Sequence, residues 1–183
     1  MNLLHFLEEI NLECKDFSEN ERVLNYKALR LDGKGRDGLR GHLGLGDQQN
    51  CCDYLLPNGD KLILVEISDL IAQLKNLQKQ KDALKQMKHE VKIKILSTLI
   101  ILFKLPTKFK IAHEAIHEKQ LEIIFVICSH NPDDVREFEY LTSDIKNTLS
   151  PLCKEVKIVD ISMFNKKLER MRTDERKRVC KKN

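Results

Sequence analysis

The sequence contains no tryptophan, and aromatic residues make up only 5% of its 183 residues. Stacking of bases on aromatic side chains is therefore not expected to dominate any nucleic-acid binding. The six cysteines form no CxxC pair, and the start of the chain lacks the features of a signal peptide, so buried thiols in the cytoplasm are expected. The longest apolar stretch, residues 93–105, is too short and too polar to cross a membrane.

The charge balance is nearly even, with 32 Lys and Arg against 28 Asp and Glu. A net charge of +4 permits a nucleic-acid partner without requiring one. Apolar residues make up 42% of the chain, which is typical of a soluble domain with a sizeable core. We expect one α/β domain over residues 1–165 and a basic C-terminal tail over residues 166–183.

Glycine is concentrated in one segment, because six of the seven glycines lie between Gly33 and Gly46. Basic side chains are interspersed with them. Glycines let a backbone approach a phosphate chain closely, and arginines can bind phosphates in bidentate fashion. The candidate nucleic-acid contacts are Arg30, Lys34, Arg36 and Arg40. The alternative is an ordinary solvated loop or one that a partner orders.

The remaining pattern alternates between apolar runs and helical segments. It predicts helices at 1–12, 18–29, about 70–104 and 133–149, a hairpin at 51–68, and buried strands at 121–129 and 155–162. The long helix is expected to run from solvent into the core and to end before Pro106. Strand-helix-strand order favours an α/β fold with a mixed central sheet flanked by helices.

The predicted hairpin carries two carboxylates. Asn58-Gly59 lies between two apolar runs, which is a strong hairpin signal. Glu66 is embedded in the aliphatic second strand, where a carboxylate is costly without a cation or a donor. Asp53 lies on the partner strand, and Mg²⁺ is the simplest ion that would reconcile two neighbouring acids.

With these residues the chain resembles the PD-(D/E)xK nuclease superfamily over roughly residues 18–130. Asp53 matches the family's Asp, Glu66 matches its second acid, and Glu21 matches an extra acid that some members carry on the early helix. The resemblance implies a restriction-endonuclease-like fold that binds DNA and cleaves it with Mg²⁺ held by these three acids.

Ser68 stands at the position of the family's lysine and cannot supply its cation. Lys75 on the long helix and Lys61 at the strand start are the candidate substitutes. If neither reaches the site, the chain is expected to be an inactive nuclease fold acting as an interaction or scaffold subunit, with a protein partner or a second copy of itself. In a simpler alternative, Glu66 pairs with a lysine of the long helix.

A competing motif, His113-Glu114-Ala115-Ile116-His117, matches the H-E-x-x-H pattern of zinc peptidases. Its surroundings do not favour zinc. Charged residues flank it on both sides, and no residue stands out as a third ligand. Two surface histidines near a turn are the expected interpretation.

Overall fold

The computed structural model describes residues 6–10, 26–33, 38–43, 50–58, 61–68, 83–104, 121–128, 132–136, 138–150 and 153–180. They form an α/β fold around a mixed six-stranded sheet whose spatial order follows the chain. The strands are β1 (Leu7–Glu9), β2 (Lys27–Arg30), β3 (Tyr54–Asn58), β4 (Lys61–Ser68), β5 (Leu121–Ile127) and β6 (Cys153–Asp160). The helices are α1 (Leu39–His42), α2 (Ala83–Lys104), α3 (Pro132–Arg136), α4 (Glu139–Leu149) and α5 (Ile161–Cys180).

The sheet changes direction at β4. Strands β1 to β4 pair antiparallel as a meander, whereas β4, β5 and β6 run parallel. The predicted hairpin is confirmed, because β3 and β4 pair from Tyr54 opposite Val65 to Asn58 opposite Lys61. The two residues between them lie outside the described chain. The expectation of a mixed sheet flanked by helices is confirmed.

Both faces of the sheet are covered, and the alternation of side chains along β4 divides the core in two. Leu62 and Leu64 pack in a cluster with Met87, Val91 and Ile95 of α2. On the other face, Ile63 and Val65 of β4 belong to a second cluster that includes residues of α5, and Ile67 packs against it. The central strand β5 is buried along its whole length, as its continuous apolar run predicts.

The expectation of helices at 1–12 and 18–29 is wrong where the structure describes these segments. Leu7–Glu9 and Lys27–Arg30 are strands that pair with each other. Leu29 also pairs with Leu55 of β3, which places it in the first core cluster. Pairing with an existing sheet edge overrides the local helical pattern in segments this short.

The helix predicted at 133–149 is divided into α3 and α4, with Phe138 buried between them. Helix α2 ends at Lys104, in line with the stop expected from Pro106, although residues 69–82 lie outside the described chain. Its second half is not fully buried, contrary to expectation. An apolar stripe on one side is 43–51% exposed and comprises Ile93, Leu96, Ile100 and Phe103.

Helix α5 is continuous across the 165/166 position that sequence composition suggested as a boundary. Phe164, Leu168 and Met171 are buried in the second core cluster. The helix begins after Asp160, whose Oδ1 accepts a hydrogen bond of 2.7 Å from the backbone N–H of Met163.

A cluster of charged side chains joins α5 to the sheet near the first residue of β4. Glu122 of β5 is 4% exposed. Its two oxygens accept hydrogen bonds from Lys61 Nζ at 2.8 Å and Lys167 Nζ at 3.0 Å. These two ammonium groups lower the pKa of Glu122 despite the opposing effect of burial. The arrangement satisfies a buried carboxylate and joins β4, β5 and α5.

None of the described helices is long and apolar enough to cross a membrane.

Candidate active site

The two carboxylates predicted from the hairpin meet at one edge of the sheet. Tyr54, the first residue of β3, pairs with Val65 of β4. In this antiparallel pair, the preceding residue Asp53 therefore lies opposite the following residue Glu66. Asp53 Oδ2 accepts a hydrogen bond of 2.7 Å from the backbone N–H of Ile67. This contact fixes the Asp53 carboxylate beside the residue that follows Glu66.

The backbone of Asp53 is also held from the other side. Its carbonyl oxygen accepts hydrogen bonds from the N–H groups of Leu31 at 2.8 Å and Asp32 at 3.4 Å. The carbonyl oxygen of Asp53 is therefore bonded to the residues that follow β2, and its carboxylate is bonded to β4.

Glu66 lies on the α2 side of the sheet and is 3% exposed. Its Oε1 accepts a short hydrogen bond from Lys94 Nζ. Its Oε2 is buried and has no hydrogen-bond partner among the described residues. Burial raises the pKa of Glu66 from 4.5 to about 8, and the charge of Asp53 raises it as well, whereas Lys94 acts in the opposite direction.

Lys94 is a site residue that the sequence interpretation did not identify. Burial lowers the pKa of its ammonium group, but the charge of Glu66 and the hydrogen bond to it prevail, so the net direction is upward. Lys94 thus remains a cation at neutral pH. The signal that could have identified it is the pair Lys94 and Thr98, one helical turn apart within a mostly apolar segment.

Thr98 connects α2 to the segment before Asp53. It is fully buried, and its Oγ1 accepts a hydrogen bond of 2.8 Å from the backbone N–H of Cys52. The same hydroxyl donates a hydrogen bond of 2.8 Å to the carbonyl oxygen of Lys94.

Two of the arginines expected to contact nucleic acid, Arg30 and Arg40, have intramolecular partners. Arg40 is only 7% exposed, and its Nη1 lies 2.9 Å from Asp32 Oδ1. Arg30 donates hydrogen bonds to Glu8 Oε1 at 2.9 Å and to the carbonyl oxygen of Asp32 at 2.7 Å. The described part of the glycine-rich segment around Leu39 and Arg40 therefore lies in the protein interior.

The structure does not bring Lys61 to the two carboxylates. It lies five positions before Glu66 in β4, points to the opposite face and bonds Glu122. The expectation that Glu66 pairs with a lysine of the long helix is confirmed, and that lysine is Lys94. Several predicted residues lie outside the described chain: Glu21, Lys34, Arg36, Lys75 and the segment His113–His117.

Two adjacent thiols precede Asp53. Cys51 and Cys52 are free and fully buried, and burial is the largest cause that raises their pKa, to about 12 for Cys51. Cys153 is also a buried free thiol. Cys128 is disulfide-bonded. The expectation that the cysteines are free thiols is therefore wrong at that position. Raised pKa values make Cys51 and Cys52 packing residues rather than nucleophiles at neutral pH.

The described part of this edge of the sheet brings two carboxylates together but no larger group of potential metal ligands. No group of three or more His, Cys, Asp or Glu side chains within the described ranges has the geometry of a metal site. Mg²⁺ commonly takes only one or two protein carboxylates and fills its other positions with water and substrate oxygens. Glu66 Oε2 has no hydrogen-bond partner among the described residues, and the charge of Asp53 lies near enough to raise the Glu66 pKa, so these two carboxylates are the candidates for holding such an ion.

The pH dependence of stability offers a direct test of the buried state of Glu66. Its pKa is raised in the folded protein, so the folded state binds more protons than the unfolded state between pH 4.5 and about 8. The resulting stabilisation is complete below pH 4.5 and is lost as the pH rises through about 8.

We expect the wild type to lose stability relative to Glu66→Gln as the pH rises from about 5 to about 8, by at most about 1.4 kcal/mol per pH unit. Urea unfolding midpoints at several pH values measure this difference. The two proteins share every other titrating group. If the difference in their unfolding free energies did not change with pH, the raised pKa of Glu66 would be contradicted.

Comparison of the chain with protein-family models, with curated proteins and with solved structures returned no match.

Proposed function

We propose that this protein is a Mg²⁺-dependent nuclease-like enzyme of the PD-(D/E)xK type, which binds DNA and cleaves its phosphodiester bonds. The observation that carries the proposal is the position of Glu66. It lies between the cation Lys94 and the carboxylate of Asp53 and keeps one buried oxygen without a partner among the described residues.

The order of elements supports the same proposal. An acid precedes one strand of an antiparallel hairpin, a second acid lies near the end of the next strand, and a helix then returns across the same face. The resemblance requires a lysine two residues after the second acid, where this chain has Ser68. Lys94 supplies an ammonium group to Glu66 from the helix instead.

Each site residue has a distinct task in this proposal. Asp53 and Glu66 would hold the divalent cation, which supplies Lewis-acid stabilisation of the phosphoryl oxygens when bound. Lys94 donates hydrogen bonds and neutralises negative charge that develops on the phosphate during attack by water. The buried surroundings of Glu66 strengthen these electrostatic interactions, because little water screens them.

The proposed substrate is DNA in the cytoplasm, with Lys34 and Arg36 as phosphate contacts. Arg40 is not among these contacts, since its guanidinium bonds Asp32 inside the protein. Because phosphate contacts release counterions, DNA binding should weaken as salt concentration rises.

The purified wild-type protein should nick and linearise plasmid DNA in Mg²⁺ or Mn²⁺ and should be inactive in EDTA. Calorimetric titration with Mn²⁺ in the absence of DNA should show one bound ion per chain. An electrophoretic time course with both metals tests cleavage, and a preparation that neither binds metal nor cuts DNA contradicts the proposal.

A second candidate is a nuclease fold without catalysis that serves as a subunit of a nucleic-acid-processing or defence complex. It is favoured by the buried ion pair itself, since a carboxylate that is 3% exposed and bonded to Lys94 also satisfies a purely structural role. DNA or protein binding with no metal binding in the calorimeter would support this candidate.

A further inference from the structure

One buried hydroxyl joins the two elements that supply the candidate site. Thr98 is fully buried, and its Oγ1 lies 2.8 Å from the N–H nitrogen of Cys52 and 2.8 Å from the carbonyl oxygen of Lys94. The hydroxyl therefore acts as an acceptor toward the hairpin and as a donor toward its own helix.

The two backbone groups that it binds belong to the site's immediate surroundings. Cys52 directly precedes Asp53, and the carbonyl oxygen belongs to Lys94 itself. The contact to Cys52 spans 46 positions in the chain, so it is a tertiary contact and not a local helical one. A displacement of α2 along its axis would have to break it.

Exposed threonines elsewhere provide a comparison. Thr148 and Thr173 each donate to the carbonyl oxygen four residues earlier, at 2.9 Å, and both lie on solvent-facing helix surfaces. That bond is a common way for a helical threonine to use its hydroxyl. The bond within the helix does not explain why Thr98 carries a hydroxyl into the core. The second bond, from Cys52, does explain it, because the hydroxyl then satisfies a buried N–H group.

We propose that Thr98 is a positioning residue that sets α2 against the hairpin so that Lys94 reaches Glu66 beside Asp53. The catalytic part of this inference rests on the proposed nuclease function. The positioning part does not, since it concerns the contact between Lys94 and Glu66 in the folded protein. Removing the hydroxyl leaves the Cys52 N–H without its acceptor and frees the segment that carries Asp53.

A double-mutant cycle of Thr98→Val and Glu66→Gln tests the positioning part without any activity. If Thr98 acts through the Lys94–Glu66 contact, Thr98→Val should destabilise the Glu66→Gln protein less than it destabilises the wild type, because that contact is already weakened. We expect a coupling of at least about fivefold in the unfolding equilibrium constant at constant pH. If the two substitutions changed the unfolding equilibrium constant independently, with a coupling of less than about twofold, the inference would be overturned.

Cleavage kinetics test the catalytic part. Thr98→Val should lower kcat by about tenfold or more while leaving the KM for DNA within about twofold, because the substrate contacts are intact. Thr98→Ser keeps the hydroxyl and should restore kcat. Thr148→Val, which removes an equivalent but exposed hydroxyl, should behave as wild type.

Thr98→Ser also guards against a loss of folding in the valine variant. If the serine protein folds but is as impaired as Thr98→Val, the methyl group and not the hydroxyl matters, and the inference fails. In the wild type, hydrogen exchange of the Cys52 amide should be protected to the level of the core strands. Fast exchange would overturn the inference, whereas protection and coupling without any cleavage would refute only the proposed nuclease function.

Discussion

Asp53→Asn and Glu66→Gln are each expected to lower the rate of plasmid cleavage in Mg²⁺ by about 100-fold to 1,000-fold. Both substitutions preserve size and remove the negative charge that would hold the cation. Glu66→Gln should remain folded, because the amide keeps the size of the carboxyl group and its oxygen can still accept the hydrogen bond from Lys94.

The matched control is Glu155→Gln, which removes a partly exposed carboxylate of β6 that pairs with Lys157. It should cleave at the wild-type rate. Initial rates at saturating metal, together with thermal unfolding of each protein, separate loss of chemistry from loss of folding. Cleavage by both site variants at the wild-type rate would show that these acids are not the metal ligands.

Lys94→Met should reduce both stability and cleavage. Removing one partner of a buried ion pair costs about 3–5 kcal/mol, and because the Lys94 side chain is 30% exposed we expect about 2–3 kcal/mol of unfolding free energy at about pH 9, above the Glu66 pKa of about 8, where the carboxylate is ionised. Cleavage should fall by about 100-fold, since the ammonium group that neutralises the phosphate is gone. Urea unfolding and plasmid nicking measure the two effects separately.

Two further variants control this experiment. Lys61→Met removes a lysine that also bonds a buried carboxylate, but Glu122 keeps its second partner, Lys167. It should leave cleavage within about twofold of wild type. Lys94→Met combined with Glu66→Gln should recover part of the lost stability, because no uncompensated charge remains buried. If Lys61→Met impaired cleavage as much as Lys94→Met, the assignment of Lys94 would be wrong.

The sequence was sufficient to predict the central part of the sheet. Asn-Gly between apolar runs located the hairpin, and the uninterrupted aliphatic character of residues 121–127 indicated a strand covered on both faces. Alternation of side chains along a strand puts Glu66 on the face of Leu62 and Leu64, and in the structure all three lie toward α2. Each of these signals is local and depends on only a few consecutive residues.

The errors arose where long-range contacts decide the outcome. Leu7–Glu9 and Lys27–Arg30 become strands because a sheet edge is available to them, which no local pattern records. The sequence allows Glu66 to pair with a lysine of the long helix but does not single out Lys94, which lies 28 positions from Glu66 and meets it only after the helix packs on the sheet. Similarly, nothing near Arg40 in the sequence indicates that Asp32 draws it inside.

The two oxygens of Glu66 differ in their hydrogen bonds. Oε1 bonds Lys94, and Oε2 has no partner among the described residues. Whether this carboxylate faces α2 at all depends on its position along β4, since consecutive side chains alternate between faces. A one-residue insertion between Lys61 and Glu66 would turn the carboxylate toward α5, whereas a two-residue insertion would return it to α2. Related chains should therefore tolerate length changes in this strand only in even steps.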